Sequence, residues 1–404
     1  MSPAAPGVFA GPVHHVYVHV PFCRARCDYC DFASVAVGAP GAAGARLDAF
    51  VDGVAAEWQR ERAAHDVRRL HTLYLGGGTP SLLGAERLER LLGLFRASLT
   101  PHAEVTVEAN PEDVDARFAA WAAGWGGGGV TAPGRGGAAV AGRPLRVSLG
   151  VQSFDPALRT ALGRRAQADP AAAFTRLREA GVCALSADLI HGIPGQDDAG
   201  LEADLAALLE LRPGHVSWYE LTPAAGTPLA ARLAAARAAG ADAGDPDAAA
   251  GRYRRIVRAL SRAGYDWYEV SNFALPGQKA RHNLAYWRAR PYLGLGPGAV
   301  STVGGRRWTN AQDAAAWAGA LRAGREPPRE AEQLSGEVRA RERLLLAARC
   351  GDPVPLPEVA AVVDPSAASQ LAAAGLVSLH SGTIRVTRKG RYVAGEACVR
   401  LFRA

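Results

Sequence analysis

Lysine is nearly missing from this chain: Lys279 and Lys389 are the only two among 404 residues, so almost all positive charge is arginine. The formal net charge of +7 is modest for this length, and no stretch concentrates it as a nucleic-acid-binding surface requires. Arg252, Arg254, Arg255 and Arg258 read as a solvated helix face, with an anionic-ligand patch as the lesser alternative. Long apolar runs are missing too. Each is broken by Arg, Asp or Glu, which excludes a membrane-spanning helix. The opening residues MSPAAPGVFAGP carry neither a basic nor an apolar stretch, so no secretory signal is expected and residues 1–12 read as a disordered tail. Six cysteines form no disulfide framework. Cys183, Cys350 and Cys398 are scattered, a pattern that suits a reducing cytoplasm.

The other three cysteines are concentrated. Cys23, Cys27 and Cys30 stand in C-x3-C-x2-C spacing, and no fourth Cys or His follows at close range. Three thiolates can hold three irons of a [4Fe-4S] cube and leave one iron open. Electron-transfer clusters and structural zinc sites normally have four ligands instead. Spacing alone also admits a Cys3His zinc site completed by His19 or His14, or three unrelated buried thiols.

Strand and helix signals alternate from residue 13 to about 222. Strands are expected over 16–20, 70–75, 104–109, 145–151, 183–190 and 215–221, with helices over 47–64, 86–98, 170–180 and 201–211 between them. Repeated β-then-α units imply a parallel sheet or barrel. Six strands are too few to close an eightfold barrel, so an open partial barrel is expected. Its chemistry should lie at the carboxyl ends of the strands. The candidates there are Gly76-Gly77-Gly78-Thr79-Pro80, then Glu108, Gln152 and Asp188, each just at or after a strand. Residues 124–144 are rich in Gly, Pro and Ala and read as an inserted loop. Beyond 230 a connecting region to 335 precedes three helices and a β-hairpin around Gly382, a winged-helix-like domain over 336–404. Its segment 365–375 has no Arg or Lys, so DNA binding is not expected.

The run from Tyr17 through His19, Pro21 and Phe22 into Cys23, and on through Cys30 to Phe32, resembles the radical S-adenosylmethionine (SAM) superfamily. Within it, the likeness is to the branch of oxygen-independent coproporphyrinogen III oxidases and HemW-type haem chaperones. The resemblance implies an α/β fold, a partial (β/α)6 radical SAM barrel with a smaller winged-helix-like C-terminal domain. It implies a [4Fe-4S] cluster on Cys23, Cys27 and Cys30, with SAM chelating the open iron. SAM contacts implied are Tyr17, Tyr29, Gly77, Gly78, Thr79, Glu108, Gln152, Arg164 and Asp188. Arg164 has Arg165 beside it as an alternative. Arginine suits the SAM carboxylate, and Asp or Gln suits ribose hydroxyls.

Two positions separate the branches. Coproporphyrinogen-decarboxylating members carry an extra Cys where this chain has Phe32, so that activity is not expected. His282-Asn283-Leu284-Ala285-Tyr286-Trp287 matches the H-N-x-x-Y-W motif of haem-binding members. The resemblance thus implies a cytoplasmic haem chaperone, peripheral to the membrane, with haem as cargo on His282, Asn283, Tyr286 and Trp287. Its partners would be acceptor haemoproteins, including membrane-associated respiratory proteins, and an electron donor if SAM is cleaved. An imidazole can ligate haem iron while Tyr and Trp wall a porphyrin face. Taken by itself, His282 reads rather as a hydrogen-bonded surface histidine with core aromatics beside it, and the nearby His19 is an alternative iron ligand.

Overall fold

The structure is a computed structural model that describes residues 7–37, 44–125, 145–164, 168–239 and 246–403. Six strands form its centre: β1 (Val13–Val20), β2 (Val67–Gly77), β3 (Leu99–Ala109), β4 (Leu145–Gln152), β5 (Ala184–His191) and β6 (His215–Glu220). They lie in sequence order and pair in parallel throughout. β-Branched and aliphatic residues dominate them, and their side chains alternate between two covered faces. Val16, Val18, Leu73, Leu75, Val105, Val107, Val147 and Leu149 are all fully buried beneath the outer helices. The expected barrel of β/α units is therefore present.

The sheet extends beyond those six strands. β7 (Asp266–Glu269) and β8 (Asn272–Ala274) join antiparallel beside β6. On the other edge β9 (Tyr292–Leu295) pairs in parallel with β1, and β10 (Val300–Val303), β11 (Arg306–Asn310) and β12 (Arg329–Gln333) continue antiparallel. The connecting region is thus woven into the sheet rather than tethered to it.

Among the helices, α1 (Gly44–Ala64) buries Leu47, Phe50, Val51, Val54 and Trp58, the i, i+3, i+4 stripe of a core-facing helix. The helix expected over 86–98 runs as α2 (Gly84–Gly93). Turns follow it and carry Phe95 and Leu99 into the core. α3 (Ala116–Gly124) precedes the Gly-rich stretch, of which residues 126–144 lie outside the described residues. α4 (Pro156–Ala161), α5 (Pro170–Glu179) and α6 (Asp198–Leu211) each start at an aspartate whose carboxylate accepts a backbone N–H of the first turn. α7 (Pro228–Ala238), α8 (Pro246–Arg262), α9 (Arg281–Trp287) and α10 (Ala314–Arg322) follow.

A second hydrophobic core belongs to the C-terminal part. α11 (Gly336–Cys350), α12 (Leu356–Val359) and α13 (Pro365–Ala373) precede β13 (Val377–His380) and β14 (Thr383–Val386), with α14 (Ala394–Leu401) closing the unit. The two residues between those strands, Ser381 and Gly382, both have positive φ (48° and 72°), the tight turn that matches strand twist. This is the expected order of three helices and a hairpin.

The disordered tail expected over 1–12 needs correction for residues 7–12. Phe9 is 2% exposed, packs with Ala289 and Leu334, and donates its N–H to Ala289 O at 2.8 Å. One buried aromatic ring is enough to hold such a segment. Residues 1–6 lie outside the described residues.

Glu57 ties α1 to the sheet extension. Its carboxylate accepts from Gly296 N (2.7 Å), Asn310 Nδ2 (2.6 Å) and Trp317 Nε1 (3.2 Å), entirely out of solvent. Glu57→Ala would strand the buried Gly296 N–H and Trp317 Nε1–H, each worth about 1–3 kcal/mol when left unsatisfied, and would leave Asn310 Nδ2 only its bond to Gly296 O (2.9 Å). We expect a loss of about 3–5 kcal/mol in urea unfolding; a loss below about 1 kcal/mol would contradict this role.

Candidate functional site

The cysteine loop leaves the end of β1 and folds back over the end of β2. Gly78 N–H donates to Val20 O (2.8 Å) and Thr79 N–H to Phe22 O (2.7 Å), so the glycine run is fastened directly to the loop. Only glycine fits there. A Cβ on Gly78 would stand 2.6 Å from Phe22 O, and Gly77 has φ of 103° with the His19 ring 2.5 Å from where its Cβ would be. The loop is also gripped from outside. Arg24 Nε donates to Asp113 at 2.8 Å, Asp28 N–H donates to Leu162 O at 3.0 Å, and Arg232 pairs with Asp28.

Cys23, Cys27 and Cys30 border one cavity of about 370 Å³ in the mouth of the barrel. All three are free thiols. Burial raises their pKa values, that of Cys27 to about 11, so binding of a metal group must drive protons off them. Among the described residues no three His, Cys, Asp or Glu side chains form a group able to hold a metal ion. His19, one candidate fourth zinc ligand, has its ring nitrogens hydrogen-bonded to Ala33 O (2.7 Å) and Tyr17 Oη (3.0 Å). His14 bonds Arg69 O and stacks on His71. Three thiols around a roomy cavity, with no imidazole offered, fit a polynuclear iron–sulfur group better than one zinc ion.

Of the nine residues expected at SAM, eight line this cavity: Tyr29, Gly77, Gly78, Thr79, Glu108, Gln152, Arg164 and Asp188. Glu108 accepts from Tyr74 Oη (2.7 Å) and Gly77 N–H (3.2 Å). Burial, with Asp188 nearby, pushes the Glu108 carboxyl up to about 7. Burial likewise lifts Asp188 to about 6, although Ser148 Oγ donates to it at 2.9 Å. Arg164 donates to Gly150 O (2.7 Å) and to Asn110 Oδ1, and Asn110 Nδ2 donates to Thr79 Oγ1 (3.1 Å). Thr79 Oγ1 in turn reaches Cys23 Sγ at 3.6 Å. A chain of polar contacts therefore runs from Arg164 to the first thiol.

Tyr74, Asn110, Ser148 and Tyr219 also line the cavity and were missed from sequence. For Tyr74, Asn110 and Ser148 the signal was present, since each shares strand parity with Gly76, Glu108 or Gln152 and alternate residues of a strand share a face; no recognised position on β6 pointed to Tyr219. Tyr17 is displaced from the expected set. It lines a neighbouring cavity with His19, Phe32, Tyr286 and Tyr292. Phe32 lines both cavities, 59% exposed, two residues after the last thiol.

The four haem residues do not form one open surface. His282 is 1% exposed, with its ring nitrogens bonded to Thr72 Oγ1 (2.7 Å) and Tyr286 Oη (3.0 Å) and its face stacked on Tyr74. Thr72 is five residues before Gly77 on β2, about 16 Å below the strand end. The Glu104 carboxylate takes the N–H groups of Arg281 and His282 (both 2.9 Å), capping α9 against the barrel. As a result His282 fills the barrel interior, and iron ligation by it would require the hydrogen bond on the ligating nitrogen to open. Asn283 is half-buried and lines neither mouth cavity. Trp287 points elsewhere, into a third cavity beside α11.

Comparison with known proteins fits this arrangement. The Radical SAM superfamily matches residues 17–208 and the HemN C-terminal domain matches residues 334–393. The chain is 37% identical to Heme chaperone HemW of Mycobacterium tuberculosis over 95% of its own length and 93% of that protein's. It is 35% identical to Heme chaperone HemW of Lactococcus lactis, over 73% of this chain and 71% of that one. The Escherichia coli HemW shows 34% identity over 72% and 71%. Among solved structures, coproporphyrinogen III oxidase HemN of Escherichia coli superposes with a TM-score of 0.75 at 20% identity, over 97% of this chain and 90% of that one, a likeness of fold.

Anaerobic reconstitution with iron and sulfide should give a broad visible absorbance that disappears in the combined Cys23→Ala, Cys27→Ala, Cys30→Ala variant. Gly78→Ala, which keeps every thiol but crowds the loop backbone, should also take up markedly less iron. Stoichiometric zinc without iron in the native protein would exclude the cluster.

Proposed function

Because the chain belongs to the HemW family of radical SAM proteins, we propose that it is a haem chaperone. It binds a [4Fe-4S] cluster, SAM and haem, and delivers haem to acceptor haemoproteins. The observation that carries this is the single cavity bordered by three free thiols, the glycine strand end and two buried carboxyls. A cluster on Cys23, Cys27 and Cys30 would supply an iron open to the amino and carboxylate groups of SAM and, on reduction, the means of cleaving it.

The chain's own residues bind and orient. Gly77, Gly78 and Thr79 bring backbone close to the amino end of SAM, as only residues without bulk can. Arg164 faces its carboxylate, while Gln152, Asp188 and Glu108 suit ribose hydroxyls and the ammonium group. The raised pKa values of Glu108 and Asp188 let each serve as donor or acceptor near neutral pH. Tyr29 closes the apolar side and excludes water around a reactive cofactor. Phe32, exposed where decarboxylating members carry a further Cys, removes a thiol from the mouth and favours carriage over porphyrin oxidation. The acceptors in this reading include haemoproteins at the cytoplasmic face of the membrane, and SAM cleavage would add an electron donor.

Two measurements test the proposal. Titration with haemin should produce a sharp Soret band at stoichiometric haem, and its absence would end the chaperone reading. Incubation with coproporphyrinogen III, SAM and a low-potential reductant should leave the porphyrinogen unchanged. Formation of protoporphyrinogen IX would instead make the protein a coproporphyrinogen III dehydrogenase.

A further inference from the structure

Two residues at the mouth of the barrel stand where a side chain normally caps a turn. Thr79 opens the short 3-10 turn Pro80–Leu83, and Asn110 opens the 3-10 turn Pro111–Asp113. Thr and Asn at such positions ordinarily spend their oxygen on the N–H groups of the turn. Among the described residues, neither side chain bonds the turn it opens, and both line the cavity instead. The Asn110 backbone is fixed separately: its N–H donates to Ser81 Oγ (3.3 Å), which donates to Asp113 (2.8 Å). The Asn110 amide is thus left for a task in the cavity.

Chemistry fixes the direction of each bond that amide makes. A guanidinium can only donate, so the atom of Asn110 that Arg164 meets is the carbonyl oxygen. The amide nitrogen is therefore the atom on Thr79 Oγ1, 3.1 Å away, and it too can only donate. Thr79 has a single hydroxyl proton. With Asn110 donating to its oxygen, that proton is directed at Cys23 Sγ, 3.6 Å away. All the donors point one way, from a cation at one end to a sulfur at the other, and bonds in such a row polarise one another. Gly150 on β4 leaves room for the junction. Its carbonyl accepts from Arg164 at 2.7 Å, and a Cβ there would stand 3.2 Å from Asn110 Oδ1 and 3.5 Å from Arg164 Nη1.

We propose that Asn110 is a positioning residue that links the SAM-carboxylate end of the cavity to the thiol end. It holds the Arg164 guanidinium in place for a carboxylate, and it pins the Thr79 hydroxyl as a donor to the Cys23 sulfur. A donor on a cluster sulfur favours the reduced, more negative form, so the relay raises the reduction potential. Without Asn110 the Thr79 hydroxyl would be free to turn back and cap its own turn. The inference rests on the cluster and SAM reading of the site and adds to it a residue that acts only through its two neighbours.

The test uses the anaerobically reconstituted full chain, with iron content, reduction potential by mediated titration and SAM affinity measured for each variant. Asn110→Ala and Thr79→Val should take up iron as the unmodified protein does, and each should lower the potential. Because Asn110 acts through Thr79, the double variant should lie no lower than Thr79→Val alone, the non-additivity of residues that share one interaction. Thr79→Ser, which keeps the hydroxyl, should keep the unmodified potential. Asn110→Ala should also weaken SAM binding about tenfold, the scale of one hydrogen bond to a charged group. An unchanged potential in Asn110→Ala, or two shifts that simply add, would overturn the relay while leaving the cluster and SAM reading intact. Loss of iron uptake in Asn110→Ala would make Asn110 part of the loop scaffold and overturn the relay as well. No iron uptake by the unmodified protein would overturn the cluster reading, and the relay with it.

Discussion

Two backbone hydrogen bonds, Gly78 N–H to Val20 O and Thr79 N–H to Phe22 O, hold the site together. They close the cysteine loop onto the neighbouring strand, and they form only because residue 78 has no side chain. The position of all three thiols relative to the barrel follows from that seam. The parallel register of β1 with β2, which sets Val20 opposite Gly77, makes the seam possible. Parallel pairing also collects every strand's carboxyl end on one rim, which is why Glu108, Gln152 and Asp188 arrive beside the thiols although they are far apart in sequence.

The barrel wall then serves two spaces with one set of strands. Period-two alternation sends Asp188 and Tyr219 inward, and His191 and Trp218 outward. The interior below the rim is packed with rings, His282 among them, so the mouth is a shallow basin rather than a tunnel. The outer space exists because the C-terminal unit lies against α8 and β6 without filling the gap, leaving aromatic walls and two arginines around it.

Much of this was legible in the chain. The alternation of β/α units, the C-x3-C-x2-C spacing and the glycine run each carry a local physical cause, and eight of nine expected SAM residues do share one cavity. Tyr74, Ser148 and Tyr219 were missed because a hydroxyl within a strand reads as ordinary sheet composition until a neighbour fixes which face is inward. Tyr17 lines the neighbouring cavity with His19, two residues on along β1 and hydrogen-bonded to it. The sheet extension by β7 to β12 was only partly visible, since short antiparallel strands leave a weak pattern.

The sequence by itself determined the chemistry at the rim, because thiol spacing, side-chain-free residues and strand-end carboxyls act over a few positions. Tertiary structure decided what the distant histidines do. His282, the motif residue, is locked in the core by Thr72, Tyr286 and the Glu104 cap, all remote in sequence or hidden by the helix turn. His191, inconspicuous in its run of apolar neighbours, has its buried Nδ1 without a hydrogen-bond partner among the described residues, beneath a C-terminal unit that begins only at Gly336. Hydrogen-bond satisfaction is a property of the packed chain, and no spacing rule can supply it.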